Sequence, residues 1–242
     1  MDLDVRLSSN CAEDEFYFRL YRWTPYCISL GANQSYDIVD YNETERDDID
    51  VVKRPTGGRA ILHAEELTYS VSVCLANRST PHTIYKDINS ALQAGLGIYN
   101  PALSSAALEQ AQPDFANLYR NGGGIACFST AARSELKLDN RKIVGSAQRK
   151  SGNKILQHGS ILCGPYHKNI TRYLALDKEQ KQSVLNELDK STTDISSVTG
   201  EVDYERLKSA LLKGMEQYYN TKFTTLDKTE VANDKLKESE VL

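Results

Sequence analysis

Apolar and polar residues alternate along two early stretches of the chain, which is the pattern of a β-strand. Between residues 67 and 73 every second residue is apolar and hydroxyl side chains fill the positions between them, which predicts a strand with one buried face. Residues 16–23 are rich in aromatic and β-prone side chains and end at Thr24-Pro25, so they form a second candidate strand.

Three more strands are predicted between residues 136 and 162. Segments 136–138 and 142–148 flank Asp139-Asn140, a dipeptide that tolerates positive φ and suits a two-residue turn. That turn would set Lys142 opposite Lys137. A polar turn at 150–153 then leads into the segment 155–162. These segments predict an antiparallel meander.

Helical spacing marks the remaining segments. Ile84, Ile88, Leu92 and Leu96 share one helical face behind Thr83, a candidate N-cap. A similar face over residues 207–218 follows Asp203, and a shorter helix is expected around 184–188. Residues 1–224 therefore predict one cooperative α+β domain, whose sheet is largely antiparallel or mixed and is flanked by helices. Residues 225–242 are expected to form a polar tail or short helix.

Composition excludes several classes of protein. Of 242 residues, 40% are hydrophobic and 26% charged, and the net charge is −4, so we expect no nucleic-acid partner. The five cysteines are scattered and never spaced as C-x-x-C, which favours a reducing compartment over a disulfide framework or a metal site. The acidic first ten residues do not resemble a signal peptide, and no apolar run is long enough to span a membrane. A cytoplasmic protein is expected.

One candidate binding segment precedes the strand at 67–73. Paired glycines let backbone N–H groups approach a ligand, and flanking arginines suit an anionic group. On the residues alone, a plain glycine turn with solvated arginines is the other interpretation, and short glycine motifs of this kind recur by accident. The candidates in this segment are Arg54, Thr56, Gly57, Gly58, Arg59, Ala60 and His63.

A second candidate segment holds a lysine at the start of an apolar strand. The ammonium of Lys142 must find a partner or reach solvent at a sheet edge, and both readings stay open. Small residues follow it, and the next strand carries a histidine that is either a catalytic group or a hydrogen-bonded core residue. The candidates here are Gly145, Ser146, Ala147, His158 and Gly159.

Together, in their order along the chain, these segments resemble the catalytic domain of the biotin and lipoate attachment superfamily. The resemblance spans roughly residues 1–220. Biotin ligases match less well, because their Gly-Arg-Gly-Arg loop is missing. The matching segments are Tyr21-Arg22-Trp23, Ser29-Leu30-Gly31, Arg54 to Ala60, Lys142 to Gln148 and Leu156 to Ser160.

The resemblance implies a fold of the biotin/lipoate-ligase catalytic type and a pocket for a medium-chain acyl group. The glycine-pair loop would line that pocket, and Lys142 would face the acyl carbonyl. The order Cys127-Phe128, Glu135-Leu136, Lys142 is similar to that of octanoyltransferases, which implies that Cys127 carries the acyl group as a thioester and that no cofactor is needed. For any of the other four cysteines a small buried residue is expected.

The same resemblance names partners and alternatives. Octanoyl-acyl carrier protein would be the donor, and the acceptor would be a lipoyl domain of a 2-oxoacid dehydrogenase or the glycine-cleavage H protein, with a monomeric enzyme. The main alternative is the catalytic subunit of a lipoate–protein ligase that lacks its accessory domain and uses ATP, Mg²⁺ and free lipoate. A degenerate pseudoenzyme that binds an acylated partner is a third reading.

Overall fold

The computed structural model describes residues 1–13, 15–75, 79–109 and 135–226. Its strands are β1 (Phe16–Tyr21), β2 (Cys27–Leu30), β3 (Asp50–Lys53), β4 (Ile61–His63), β5 (Glu66–Cys74), β6 (Ala107–Leu108), β7 (Leu136–Leu138), β8 (Arg141–Ser151) and β9 (Lys154–Leu162). Its α-helices are α1 (Asp2–Asn10), α2 (Tyr41–Arg46), α3 (Pro81–Tyr99), α4 (Lys178–Ser191), α5 (Ser196–Thr199) and α6 (Tyr204–Tyr219). Within those described ranges, three 3-10 helices cover Tyr36–Ile38, Pro101–Leu103 and Pro165–Tyr173.

The larger sheet contains all five predicted strands. Its order is β1-β5-β9-β8-β7-β6, and every neighbouring pair is antiparallel. Asp139 and Asn140 adopt φ of 49° and 62°, so β7 and β8 join through the predicted turn and Lys137 pairs with Lys142. The predicted α+β fold with a largely antiparallel sheet is confirmed.

A second, smaller sheet was not among the predicted elements. Its order is β3-β2-β4, with β2 parallel to β3 and antiparallel to β4. These strands have four residues or fewer, which is too short for a period-two pattern to stand out.

Two of the predicted helix starts need correction. The side chain of Thr80, not Thr83, caps α3 and accepts the backbone N–H of Thr83 at 3.1 Å, with proline in the first turn. Helix α4 is longer than predicted and begins with a capping box formed by Asp177 and Gln180. Asp203 caps α6 as predicted, since its carboxylate accepts the N–H of Arg206 at 3.0 Å.

Strand β5 is buried on both faces, which corrects the prediction of a single buried face. Thr68, Ser70 and Ser72 are 2–3% exposed, and their face is covered by α1, whose Asp4 accepts the hydroxyl of Ser70, and by Trp23, which donates to Thr68. Apolar residues form two clusters, and β9 contributes to both, with Ile161 in one and Leu162 in the other. Cooperative folding as a single domain stays a prediction. Of the predicted tail, residues 227–242 lie outside the described residues.

None of the described helices combines the length and the apolar character that crossing a bilayer requires.

Candidate active site

A narrow cavity of about 20 Å³ lies where strands of the two sheets meet. Seven of the predicted site residues line it: Arg54, His63, Gly145, Ser146, Ala147, His158 and Gly159. Tyr21, Trp23, Ile61, Thr68, Ser160 and Met1 complete the lining. Of the other predicted residues that the structure describes, Thr56 to Gly58, Arg59, Ala60 and Lys142 do not belong to this wall.

The side chain of Arg54 organises the glycine loop. Its guanidinium donates to the carbonyl oxygens of Ser29 at 2.8 Å, Gly57 at 3.0 Å and Arg59 at 2.7 Å. Arg54 is buried, so a solvated arginine is the wrong reading at this position. Gly57 and Gly58 themselves are exposed, and Gly58 has a φ of 93° that favours glycine. The buried guanidinium of Arg54 therefore holds the glycine loop in place through its carbonyl oxygens.

His63 is fixed in the cavity wall through both ring nitrogens. Its Nδ1 lies 2.7 Å from Oε1 of Glu66, and its Nε2 lies 2.7 Å from the hydroxyl of Ser29. A carboxylate accepts, so we assign the proton to Nδ1, and the Ser29 hydroxyl then donates to Nε2. The ring also stacks on Trp23 with centroids 4.9 Å apart. His63 therefore shapes the wall, because neither nitrogen faces the cavity without a partner.

His158 is a hydrogen-bonded core histidine, the second of the two readings that its sequence context allowed. Its Nε2 lies 2.6 Å from the hydroxyl of Thr56, which connects β9 to the glycine loop. Burial, together with the nearby charge of Arg54, lowers the pKa of His158 to about 3. The ring is therefore neutral at physiological pH.

Lys142 is one of the largest fully buried side chains of the described residues. Its Nζ lies 3.0 Å from Oε2 of Glu135, and both side chains are 4% exposed or less. A lysine that reaches solvent at a sheet edge is thus the wrong reading, and a buried counter-charge the correct one. The other oxygen of Glu135 accepts the backbone N–H of Ser146 at 3.0 Å. The ammonium is in this way tied to a residue of the cavity wall.

Ser146 is held through all of its polar groups. Its hydroxyl donates to Oδ1 of Asn89 at 3.1 Å and accepts from Tyr69 at 2.5 Å, and its carbonyl accepts from Tyr85 at 3.2 Å. Asn89 and Tyr85 project from α3, so that helix positions the cavity wall next to Lys142.

Sequence reasoning missed Glu66, Tyr85 and Asn89 as parts of the site. A signal was present for Asn89, which follows Ile88 in a helix whose neighbouring pattern is apolar, whereas Glu66 continues the polar positions Thr68 and Ser70 of its strand. Glu66 and Asn89 are both buried, and a buried polar side chain needs partners.

Four of the five cysteines are described, and all four are free and buried, as expected of small apolar residues. Burial raises the pKa of the Cys11 thiol to about 11, and those of Cys27 and Cys163 to about 12. Cys127 lies outside the described residues. Within the described residues, no three histidine, cysteine or acidic side chains are grouped closely enough to hold a metal ion.

Comparison with known proteins identifies the family. The model of the lipoyl protein ligase A/B catalytic domain matches residues 1–216, which is most of the chain. The chain belongs to this family. It is accordingly an acyltransferase.

Relatives and neighbours in this family support the assignment. Octanoyltransferase LipM of Clostridioides difficile is 29% identical, with 91% of this chain and 81% of the relative covered. LipM of an Exiguobacterium species is 30% identical, with 93% and 84% covered. The fold is similar to that of a chain from the lipoylation system of Thermoplasma acidophilum, which is described as a bi-partite lipoate protein ligase and its E2 lipoyl domain. The TM-score is 0.74 at 17% sequence identity, and the comparison covers 98% of this chain and 86% of that one.

Proposed function

We propose that this protein transfers an octanoyl group from acyl carrier protein to a lysine of a lipoyl domain or of the glycine-cleavage H protein, in the cytoplasm and without ATP. The observation that carries the proposal is the buried ammonium of Lys142, linked through Glu135 to the wall of a cavity, in a chain whose relatives are named octanoyltransferases. In this proposal the hydrocarbon chain occupies the cavity and Lys142 faces the reacting carbonyl.

The first step forms a thioester on Cys127. Its thiolate attacks the carbonyl carbon of the octanoyl thioester, a new S–C bond forms, and the pantetheine thiolate of the carrier protein leaves. A nearby ammonium favours the thiolate and stabilises the oxyanion of the tetrahedral intermediate. Lys142 is the candidate for that ammonium.

The second step forms the amide. The neutral amine of the acceptor lysine attacks the Cys127 thioester, the C–S bond breaks, and the Cys127 thiolate returns while the new amide nitrogen loses a proton. Octanoate thus moves between proteins without an oxidant, a metal or a nucleotide. The Lys142 ammonium would again stabilise the oxyanion.

The choice of Cys127 as the acyl carrier has support from two sides. Its place ahead of Glu135 and Lys142 follows the order found in octanoyltransferases. Among the other cysteines, Cys11, Cys27 and Cys163 are buried thiols with a raised pKa, and such thiols are poor nucleophiles at neutral pH.

Intact mass spectrometry tests the proposal. Brief incubation with octanoyl-acyl carrier protein should add one octanoyl group that hydroxylamine removes, and Cys127→Ser should gain no such adduct. Cys74→Ser is a matched control, because Cys74 is a buried cysteine that does not line the cavity, and it should keep the adduct. An adduct that persists in Cys127→Ser would contradict the thioester step.

The ligase alternative gives a different result in a parallel assay. A ligase would modify an acceptor protein from free lipoate and ATP, and it would still do so after Cys127→Ser. A wild-type rate for Cys127→Ser in that assay would replace the transferase proposal with ATP-dependent ligation. Lys142 would keep its proposed role, and Cys127 would have only a packing role.

A further inference from the structure

We infer that Glu135 is a positioning residue, which holds the ammonium of Lys142 against the cavity wall during acyl transfer; this rests on the proposed function of Lys142. Glu135 does not line the cavity, so it would act through Lys142 and not on the substrate. The two carboxylate oxygens of Glu135 connect the Lys142 ammonium to Ser146 in the cavity wall.

The geometry of Glu135 is that of a bridge. Oε2 pairs with the Lys142 ammonium at 3.0 Å, and Oε1 accepts the N–H of Ser146 at 3.0 Å. Ser146 is in turn fixed by Tyr69 and Asn89. A lysine side chain has four rotatable bonds, and without a partner its ammonium would move among several positions. The carboxylate therefore sets one position relative to Gly145 and Ser146 in the wall.

Stability alone does not account for this pair. Removing two charges from water costs several kcal/mol per ion, and replacing a buried ion pair by apolar residues is often neutral or stabilising. An apolar pair could also fill this space in the β7–β8 hairpin, at the cost of the acceptor that Glu135 gives to the N–H of Ser146. A retained buried pair beside a cavity points to a need for the charge itself.

A neighbouring ion pair offers a matched control. Lys137 precedes the same β-turn and pairs with Glu109 across β6 and β7. Both of its side chains are more accessible, at 26% and 18%, and neither lines the cavity. Glu109→Gln thus removes one carboxylate from an ion pair of the same hairpin without touching Lys142.

The experiment measures kcat and KM for octanoyl transfer in Glu135→Gln, Glu135→Asp and Glu109→Gln. A misplacement of the ammonium by about 1 Å costs on the order of 10²-fold in rate, so Glu135→Gln should lose about that much in kcat. KM for the donor should change little, because Glu135 does not line the cavity proposed for the acyl chain. Glu135→Asp keeps the charge and should recover part of the loss, and Glu109→Gln should match the wild type.

A double-mutant cycle distinguishes a role of Glu135 in positioning Lys142 from an independent effect of Glu135 on the fold. On a Lys142→Ala background, Glu135→Gln should cause no further loss in kcat, because its target is gone. Folded Glu135→Gln with wild-type kcat would overturn the inference. If Glu135→Gln does not fold, Glu135→Asp takes its place in both tests. The inference is then overturned by a wild-type kcat in Glu135→Asp, or by losses in kcat that add when Glu135→Asp is combined with Lys142→Ala. Wild-type turnover in Lys142→Ala itself would instead remove the proposed function on which the inference rests.

Discussion

Gly31 lies directly against Gly58. A Cβ built on Gly31 would come within 2.0 Å of the carbonyl oxygen of Gly58, which is far inside contact distance. The backbone N–H of the next residue, Ala32, donates to the carbonyl of Thr56 at 2.9 Å. The chain after β2 and the glycine loop are therefore packed backbone to backbone, and any side chain at position 31 must displace the loop.

Gly31→Ala should lower both activity and stability. The loop carrying Gly57 and Gly58 would have to move, and the contacts that Arg54 makes with it would be stretched. Overpacking of this kind typically costs about 1–3 kcal/mol in the free energy of unfolding. Urea unfolding and transfer kinetics measure both effects, and an unchanged midpoint would show that the loop yields freely.

Gly57→Ala should leave the fold unchanged and still reduce activity. A Cβ on Gly57 meets nothing within 4 Å, so the protein without substrate has room for it. A rise in KM for the acyl donor in a variant with wild-type stability would show that the space is reserved for a ligand. Wild-type kinetics would remove Gly57 from the set of proposed substrate-contacting residues.

Lys142→Ala should lose catalysis by an amount comparable to the loss of one oxyanion-hole donor, about 2.7–4 kcal/mol in the activation barrier. Lys142→Arg should also fail, because a broad planar guanidinium does not fit a fully buried seat made for a compact ammonium. Lys137→Ala serves as the control, since Lys137 is the cross-strand partner of Lys142 and is more accessible. Single-turnover rates provide the measurement.

Removal of one member of the buried pair should destabilise the protein more than removal of both. Lys142→Met leaves the Glu135 carboxylate buried without this partner, which typically costs about 3–5 kcal/mol. The double variant Glu135→Leu with Lys142→Met should recover most of that loss, apart from the acceptor that Ser146 loses, about 1–3 kcal/mol. Urea unfolding of the three proteins checks the order, and a double variant less stable than the single one would contradict it.

His158 should make the protein less stable in acid. Its folded pKa of about 3 lies below its ordinary value of 6.5, so the unfolded chain binds the extra proton throughout that interval. Stability should therefore be complete above pH 6.5 and fall as the pH drops towards 3. His158→Gln should reduce this slope by about one proton. Urea unfolding of both proteins across this pH range measures the slope.

The strands of the larger sheet were predictable because local signals determine them. Leu67 to Val73 alternate cleanly, and Asp139-Asn140 adopts the positive φ that its side chains tolerate. The smaller sheet was not predictable in this way, because its short strands pair over long separations, as Cys27 does with Asp50 and with His63. Such pairs leave little trace in any window of sequence.

The site divides in a similar manner. Residues that line the cavity, such as Gly145 and His158, could be recognised because they lie in small-residue and histidine segments with a familiar order. The hydrogen bonds that determine the roles of these residues could not be predicted, because those hydrogen bonds join distant parts of the chain. Thr56 with His158 and Ser146 with Asn89 are examples, and no local pattern specifies either contact.

The polar side chains of the cavity wall are bonded to one another before any substrate arrives: His63 to Ser29 and Glu66, His158 to Thr56, and Trp23 to Thr68. These bonds leave a mostly apolar surface facing the narrow cavity, which suits a hydrocarbon chain. Its binding should carry the negative heat-capacity change of apolar burial. Affinity should grow by about 0.8 kcal/mol for each further methylene that is fully buried, and stop growing at the chain length that fills the cavity. Calorimetry with a series of saturated acyl chains would then measure the depth of the cavity in methylene units.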